Sequence, residues 1–181
     1  VQIQLVDLPP IAPDMTEPWV HGIIRAADAV LLVADLGDDA VLERTEETFA
    51  YLDHARVTLV PPGGPTASPE IGRVLKRALL GANKADVEGA DDRLGVLAEA
   101  YGARLPVLRL SARDGTELEP LKRRLFELLG VLRVYTKAPG KPPSLETPVV
   151  LPIGSTVLDL AASIHKDFAQ QLKFARIWGT G

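Results

Sequence analysis

Apolar positions along the chain fall into two kinds of run. The first kind is short and continuous: Ala29-Val30-Leu31-Leu32-Val33-Ala34 before Asp35, Ala78-Leu79-Leu80-Gly81-Ala82 before Asn83, and Pro106-Val107-Leu108-Arg109-Leu110 before Ser111. Such runs predict strands, and the first two predict strands buried on both faces, as in a parallel sheet. A shorter strand is predicted at Val57–Val60, and an alternating one over Val1–Val6 that ends at Asp7. The second kind spaces apolar residues three or four apart. Trp19–Ala27 predicts a short helix. Val41, Leu42, Thr45, Phe49 and Leu52 share one face of a helix capped by Asp38 or Asp39 and running to about Asp53. Asp91–Tyr101 is helical and stops at Gly102, with Asp91 and Asp92 read as caps. Glu117–Leu129 puts Leu118, Leu121, Leu125 and Leu128 on one face and stops at Gly130. Pro9, Pro10, Pro13 and Pro18 mark one loop, and Pro61-Pro62-Gly63-Gly64-Pro65 another.

Strands alternating with helices predict an α/β fold with a doubly wound parallel sheet, in which ligands bind at the carboxyl ends of the strands. After Gly130 the texture changes. Strands are expected at Arg133–Thr136 and Val149–Leu151, with a Pro-rich loop over Lys137–Pro148 between them. A helix follows over Thr156–Ile164, with Thr156 as cap and Asp159 three residues on. A last strand is expected at Phe174–Trp178. This reads as a second, small α+β unit, and the chain divides into residues 1–130 and 131–181.

Composition narrows the setting. The chain has 181 residues, 46% hydrophobic and 24% charged, enough for one or two domains with a real core. Aromatics are 5%, so Leu, Val and Ala must fill that core. No cysteine is present, which excludes disulfides and Cys-zinc sites and fits a reducing, cytoplasmic setting. No apolar run approaches the roughly 20 residues that span a bilayer, and no signal peptide is read. The net charge of −4 divides unevenly, with −7 on residues 1–129 and +3 on residues 130–181. A mildly basic tail permits an RNA partner; no membrane or DNA partner is expected.

The chemistry concentrates after two of the expected strands, in Asn83-Lys84-Ala85-Asp86 and Ser111-Ala112-Arg113. An Asp carboxylate accepts two hydrogen bonds from the N1–H and N2–H of guanine; adenine lacks that donor pair and leaves the carboxylate unmatched. Asn83 can hold the base edge and tie neighbouring loops together. The aliphatic stem of Lys84 can lie on the base plane while its ammonium stays solvated. A small residue at Ala112 lets a backbone N–H approach the guanine O6.

With these motifs in order, residues 1–129 resemble the later part of a G domain of the Obg/DRG class of GTPases. Asp7-Leu8-Pro9-Pro10-Ile11 resembles that family's DxPG switch II motif. Residues 131–181 resemble a TGS domain, a small β-grasp module, through Ile164-His165-Lys166-Asp167-Phe168 and Leu172–Gly179. The resemblance implies a partial P-loop-NTPase-like sheet followed by a partial β-grasp unit. It implies GTP or GDP as ligand, Asn83, Lys84, Asp86, Ser111, Ala112 and Arg113 as guanine-binding residues, and ribosome or RNA association. Asp7 would reach a Mg2+ shell through water, with Pro10 and Ile11 on the phosphate side.

The departures from the family matter as much. No GxxxxGK[ST] loop occurs in the 181 residues, so the phosphate-binding loop is expected before residue 1. The family's last two TGS strands are expected beyond Gly181. Pro10 stands where the family has Gly, and Pro has no N–H to offer a γ-phosphate. Ile11 is no departure: it stands where Ras-like proteins carry a water-orienting Gln, but the resemblance implies that a hydrophobic residue is normal there for the class, with another group positioning the water. The expectation is a guanine-recognising piece of a slow GTPase, inactive alone. The alternative is a non-enzymatic adaptor with a degenerate G domain that binds RNA or a protein partner.

The remaining polar features read as structure. His21, His54 and His165 have no metal-ligand spacing, and Lys122-Arg123-Arg124 reads as a solvated helix face. Trp178 is expected in the core of the second unit.

Overall fold

The computed structural model describes residues 2–11, 17–137 and 140–179. Val1, Pro13 and residues 138–139 of the expected Pro-rich loop lie outside the described residues. The chain divides into two units: Gln4–Leu129, and residues 130–179 together with residues 2–3.

The first unit is built on a parallel sheet with a helix between successive strands except from β2 to β3, which a loop joins. The elements are α1 (Pro18–Ala26), β1 (Val30–Asp35), α2 (Val41–His54), β2 (Val57–Val60), β3 (Val74–Asn83), α3 (Ala90–Tyr101), β4 (Val107–Arg109) and α4 (Leu118–Leu129). β3 is the hub. β1 runs beside it from Val30 opposite Ala78 to Asp35 opposite Asn83. β4 pairs with it through Leu80 opposite Val107, and β2 through Val57 opposite Val74, all parallel. Ala78, Leu79, Leu80 and Ala82 are fully buried. Two apolar clusters flank the strands. One gathers Val20, Ile24, Phe49, Leu52, Val57, Leu59, Ala78 and Leu105; the other gathers Leu36, Val41, Leu80, Ala82, Ala85, Ala90 and Leu97. The Phe49 and Tyr101 rings stack at 4.9 Å.

Several expectations need correction. Residues 2–11 form no strand, so Asp7 does not stand at a strand end. Leu8 and Ile11 from this segment instead pack on the first cluster. β1 is not buried on both faces: Val33 is 57% exposed, because among the described strands β1 pairs only with β3. β3 begins at Val74, not Ala78. Lys76 and Arg77 fit inside it because their heads reach out to the carbonyls of Ala27 and Leu129. Neither Asp38 nor Asp39 caps α2, whose N-cap is Ala40; Asp38 accepts from Ala40 N in the turn before it. Asp91 and Asp92 lie in the first turn of α3, and Gly89 at φ +72 is its N-cap.

The second unit pairs β5 (Val131–Val134) antiparallel with β6 (Val149–Pro152), followed by α5 (Val157–Ile164) and α6 (Lys166–Gln171). Leu151 and Ala161 are buried between them. The cap of α5 is as expected: Thr156 Oγ1 accepts from Asp159 N, and Asp159 accepts in return from Thr156 N. α6 was not expected; His165 caps it, with Nδ1 accepting from Asp167 N. Phe174–Trp178 is not a strand. It is irregular, Phe174, Ile177 and Trp178 are exposed rather than core, and the Lys137 ammonium lies 5.4 Å from the Trp178 ring centre. A β-strand needs a partner ladder, and no described strand pairs with this segment.

Candidate functional site

Because the strands are parallel, β1, β3 and β4 all end at one edge of the sheet, and the loops after them meet there. Backbone bonds join the loops: Leu36 N donates to Asn83 O, Ala85 N to Leu110 O, and Leu110 N to Ala82 O, each at 2.9 Å. The two tetrapeptide-scale motifs of the sequence thus lie side by side.

Asn83 closes β3 and uses its side-chain oxygen to accept from Ala112 N at 3.0 Å, tying the β3 loop to the β4 loop. The Ala112 N–H, expected to be open to a ligand oxygen, is therefore engaged by Asn83. Lys84 adopts a left-handed backbone, φ +64, which throws its side chain back across the β1 loop. Its Nζ donates to Asp35 Oδ2 at 2.6 Å, while Asp35 Oδ1 accepts from Gly37 N at 2.8 Å. The Asp35 carboxylate raises the Lys84 pKa above the ordinary value. A Cβ on Gly37 would stand 3.3 Å from Lys84 Cδ, so this glycine leaves room for the lysine stem.

Asp86 turns its side chain inward, 15% exposed, although its backbone is open. Ser111, 1% exposed, donates from Oγ to Asp86 Oδ1 at 2.7 Å. Arg113 Nη1 lies 3.6 Å from Asp86 Oδ2, but this arginine is 86% exposed and holds the carboxylate only loosely. The Ser111 turn is closed by Ser111 N donating to Thr116 O and by Asp114 N donating to Ser111 Oγ at 3.3 Å. The Thr116 hydroxyl and N–H lower the Asp114 pKa.

The structure thus brings Asn83, Lys84, Asp86, Ser111, Ala112 and Arg113 together. It leaves Asp7 and Pro10 exposed on the irregular N-terminal segment and puts Ile11 against the first apolar cluster. Two residues that the sequence did not single out belong to the cluster. Asp35 anchors Lys84; its position after a continuous apolar run was the available signal. Arg109 donates to Ala85 O at 3.0 Å and stands 3.5 Å from Asp91. Among the described residues no group of three His, Cys, Asp or Glu side chains could hold a metal ion, and no helix is long and apolar enough to cross a membrane.

A carboxylate with one oxygen on a buried hydroxyl keeps lone pairs for further donors. Here Oδ1 is taken by Ser111 and Oδ2 lies 3.6 Å from the exposed Arg113 guanidinium.

The TGS domain family matches residues 132–180. An uncharacterized GTP-binding protein of Methanocaldococcus jannaschii is 36% identical over 70 residues, covering 39% of this chain and 18% of that protein. GTP-binding protein 1 of Schizosaccharomyces pombe is 38% identical over 79 residues, 43% of this chain and 22% of that protein. Developmentally-regulated GTP-binding protein 1 of Xenopus laevis is 33% identical over 72 residues, 39% and 20%. The matched stretch spans about a fifth of the length of these curated relatives. Residues 132–180 thus match the TGS domain family, and part of the chain is similar to GTP-binding proteins of the developmentally-regulated class.

Proposed function

We propose that the loops after β1, β3 and β4 bind guanine, and that the complete protein binds GTP or GDP through a P-loop-type G domain. The observation that carries this reading is the inward Asp86 carboxylate, aimed by the buried Ser111 hydroxyl at 2.7 Å. Guanine offers it two donors, N1–H and N2–H. Adenine offers none in that pattern, and leaving the carboxylate unmatched costs on the order of 1–3 kcal/mol. The Lys84 stem covers one face of the base while Asp35 holds its ammonium aside. The Ala112 N–H is shared between Asn83 Oδ1 and the guanine O6 as a three-centre bond. The printed names of the relatives, GTP-binding proteins, support the same ligand.

For the complete protein we infer slow GTP hydrolysis. Pro10 has no N–H for a γ-phosphate, and Ile11 cannot orient water. Asp7 stands exposed on an irregular segment, so no magnesium ligand is assigned among the described residues. No step is assigned to such an ion. That same segment favours a second reading, a non-hydrolysing scaffold. In it the C-terminal unit, with its +3 charge and its exposed Phe174, Ile177 and Trp178, meets RNA, the ribosome or a protein partner.

The test is base selectivity. The 181-residue chain, 15N-labelled, is titrated with guanosine, adenosine and xanthosine and followed by amide shifts. Guanosine should move the Asp86 and Ala112 amides with weak affinity, since no phosphate contributes, and adenosine should not. Asp86→Asn should transfer the preference to xanthosine, whose 2-oxo group accepts from a carboxamide. Equal shifts from guanosine and adenosine would refute the reading.

A further inference from the structure

We propose that Arg93 is a positioning residue of the base-recognition site: its guanidinium sets the separation between the loop carrying Asp35 and the loop carrying Asp86. The proposal rests on the guanine-binding reading and deepens it. Arg93 lies in the first turn of α3 and touches no predicted ligand position. Its Nε donates to Leu36 O at 2.5 Å, in the loop after β1. Its Nη2 donates to Glu88 O at 2.6 Å, in the loop after β3. A third arm, Nη1, reaches Asp39 Oδ1 at 2.9 Å.

The three arms are unequal. Asp39 is 96% exposed, so its ion pair contributes little. The two carbonyl bonds are the grip, made by a side chain only 21% exposed. Leu36 is fully buried and directly follows Asp35; Glu88 is two residues past Asp86. Lys84 spans the gap, its ammonium on Asp35 and its backbone two residues before Asp86. The guanidinium therefore bridges the loop that carries Asp35 and the loop that carries Lys84 and Asp86. Gly89 leaves it room, since a Cβ there would stand 2.9 Å from Nη1. A rigid planar fork can satisfy carbonyls on two loops at once; a lysine ammonium on a flexible stem cannot hold both in fixed geometry.

A site read by paired hydrogen bonds loses discrimination when its halves shift by a fraction of an ångström. The sensitive readout is therefore the preference for guanosine over inosine, which lacks only the 2-amino group that Asp86 would bind. This ratio and the thermal midpoint are measured for the wild-type chain, Arg93→Lys, Arg93→Gln and Asp39→Asn. The wild type should prefer guanosine. Both Arg93 variants should lower the ratio about tenfold, and Asp39→Asn should leave it unchanged. A lowered midpoint with the wild-type ratio in Arg93→Lys would make Arg93 merely structural and overturn the proposal while leaving the guanine reading intact. No guanosine preference in the wild type would overturn both. A measurement without variants guards against misfolding: saturating guanosine should slow solvent exchange of the Arg93 Nε–H, and unchanged exchange also overturns the proposal.

Discussion

Replacing Ser111 by Ala isolates the bond that aims Asp86. The Ser111 hydroxyl is buried, donates to Asp86 Oδ1 at 2.7 Å, and accepts from Asp114 N at 3.3 Å. Alanine removes one oxygen and leaves almost no cavity, so the change reads the hydrogen bonds alone. A hydrogen bond to a charged group contributes about 1.5–3 kcal/mol. The longer bond from Asp114 N adds a fraction, because that amide lies on an exposed turn and can face water. Arg113 cannot take over, since an arginine 86% exposed and 3.6 Å away is worth about 0–1 kcal/mol. The loss should therefore be about 2 kcal/mol, a fall of roughly 6–10 °C in the melting of a unit this size. Thermal unfolding of Ser111→Ala, Asp86→Ala and the double variant gives the pairwise term directly. A coupling of at least about 1 kcal/mol is expected, and one under about 0.5 kcal/mol would show that Ser111 does not hold Asp86.

Two further tests probe other parts of the chain. Gly81→Ala puts a methyl 2.7 Å from Leu110 Cδ1 and 3.4 Å from Leu31 Cδ1 inside the sheet core. Leu110 can yield at its terminal methyl, so the cost should be near the low end of overpacking, about 1 kcal/mol in urea unfolding; an unchanged or raised midpoint would contradict the packing described. In the second unit, the Thr156 N–H and hydroxyl lower the Asp159 pKa. A carboxylate pKa lower in the folded state stabilises above its unfolded value, about 3.9, and loses that contribution as pH falls through the lowered value. Asp159→Asn should flatten the acid limb of α5 helicity by circular dichroism, and an unaltered limb would count against the capping box.

The sequence carried most of the site and less of its frame. Asn83 and Ser111 were legible because each directly follows a short apolar run, and Asp86 because it closes the motif that Asn83 opens; parallel strands bring such ends to one edge. The start of β3 was hidden because Lys76 and Arg77 look like surface; only the structure shows their heads reaching carbonyls outside the sheet. The strands expected at Val1–Val6 and Phe174–Trp178 were misread for a shared reason. Alternation records which side chains could share a face, but a strand also needs a neighbouring backbone, which composition does not encode. Arg93 was invisible beside Asp91 and Asp92, which read as caps and gave no reason to single out the residue after them. Its role depends on which loops lie beside α3, and that is tertiary information. The exposure of Trp178 belongs to the same class of error, since an aromatic in an apolar stretch reads as core until its surroundings are known.

The hub position of β3 has a consequence for the order in which this unit assembles. Its partners lie at very different distances along the chain. Val57 meets Val74 across 17 residues, whereas Val30 meets Ala78 across 48. The entropic loss of closing the longer loop exceeds that of the shorter by about 0.9 kcal/mol. The near pairing leads into the strand that ends at Asn83; the far one delivers Asp35 to Lys84. During synthesis β1 leaves the ribosome first and must stay unpaired until β3 follows, its apolar edge open for the time that takes. The half of the loop cluster made earliest along the polypeptide is thus the half that waits longest for its complement.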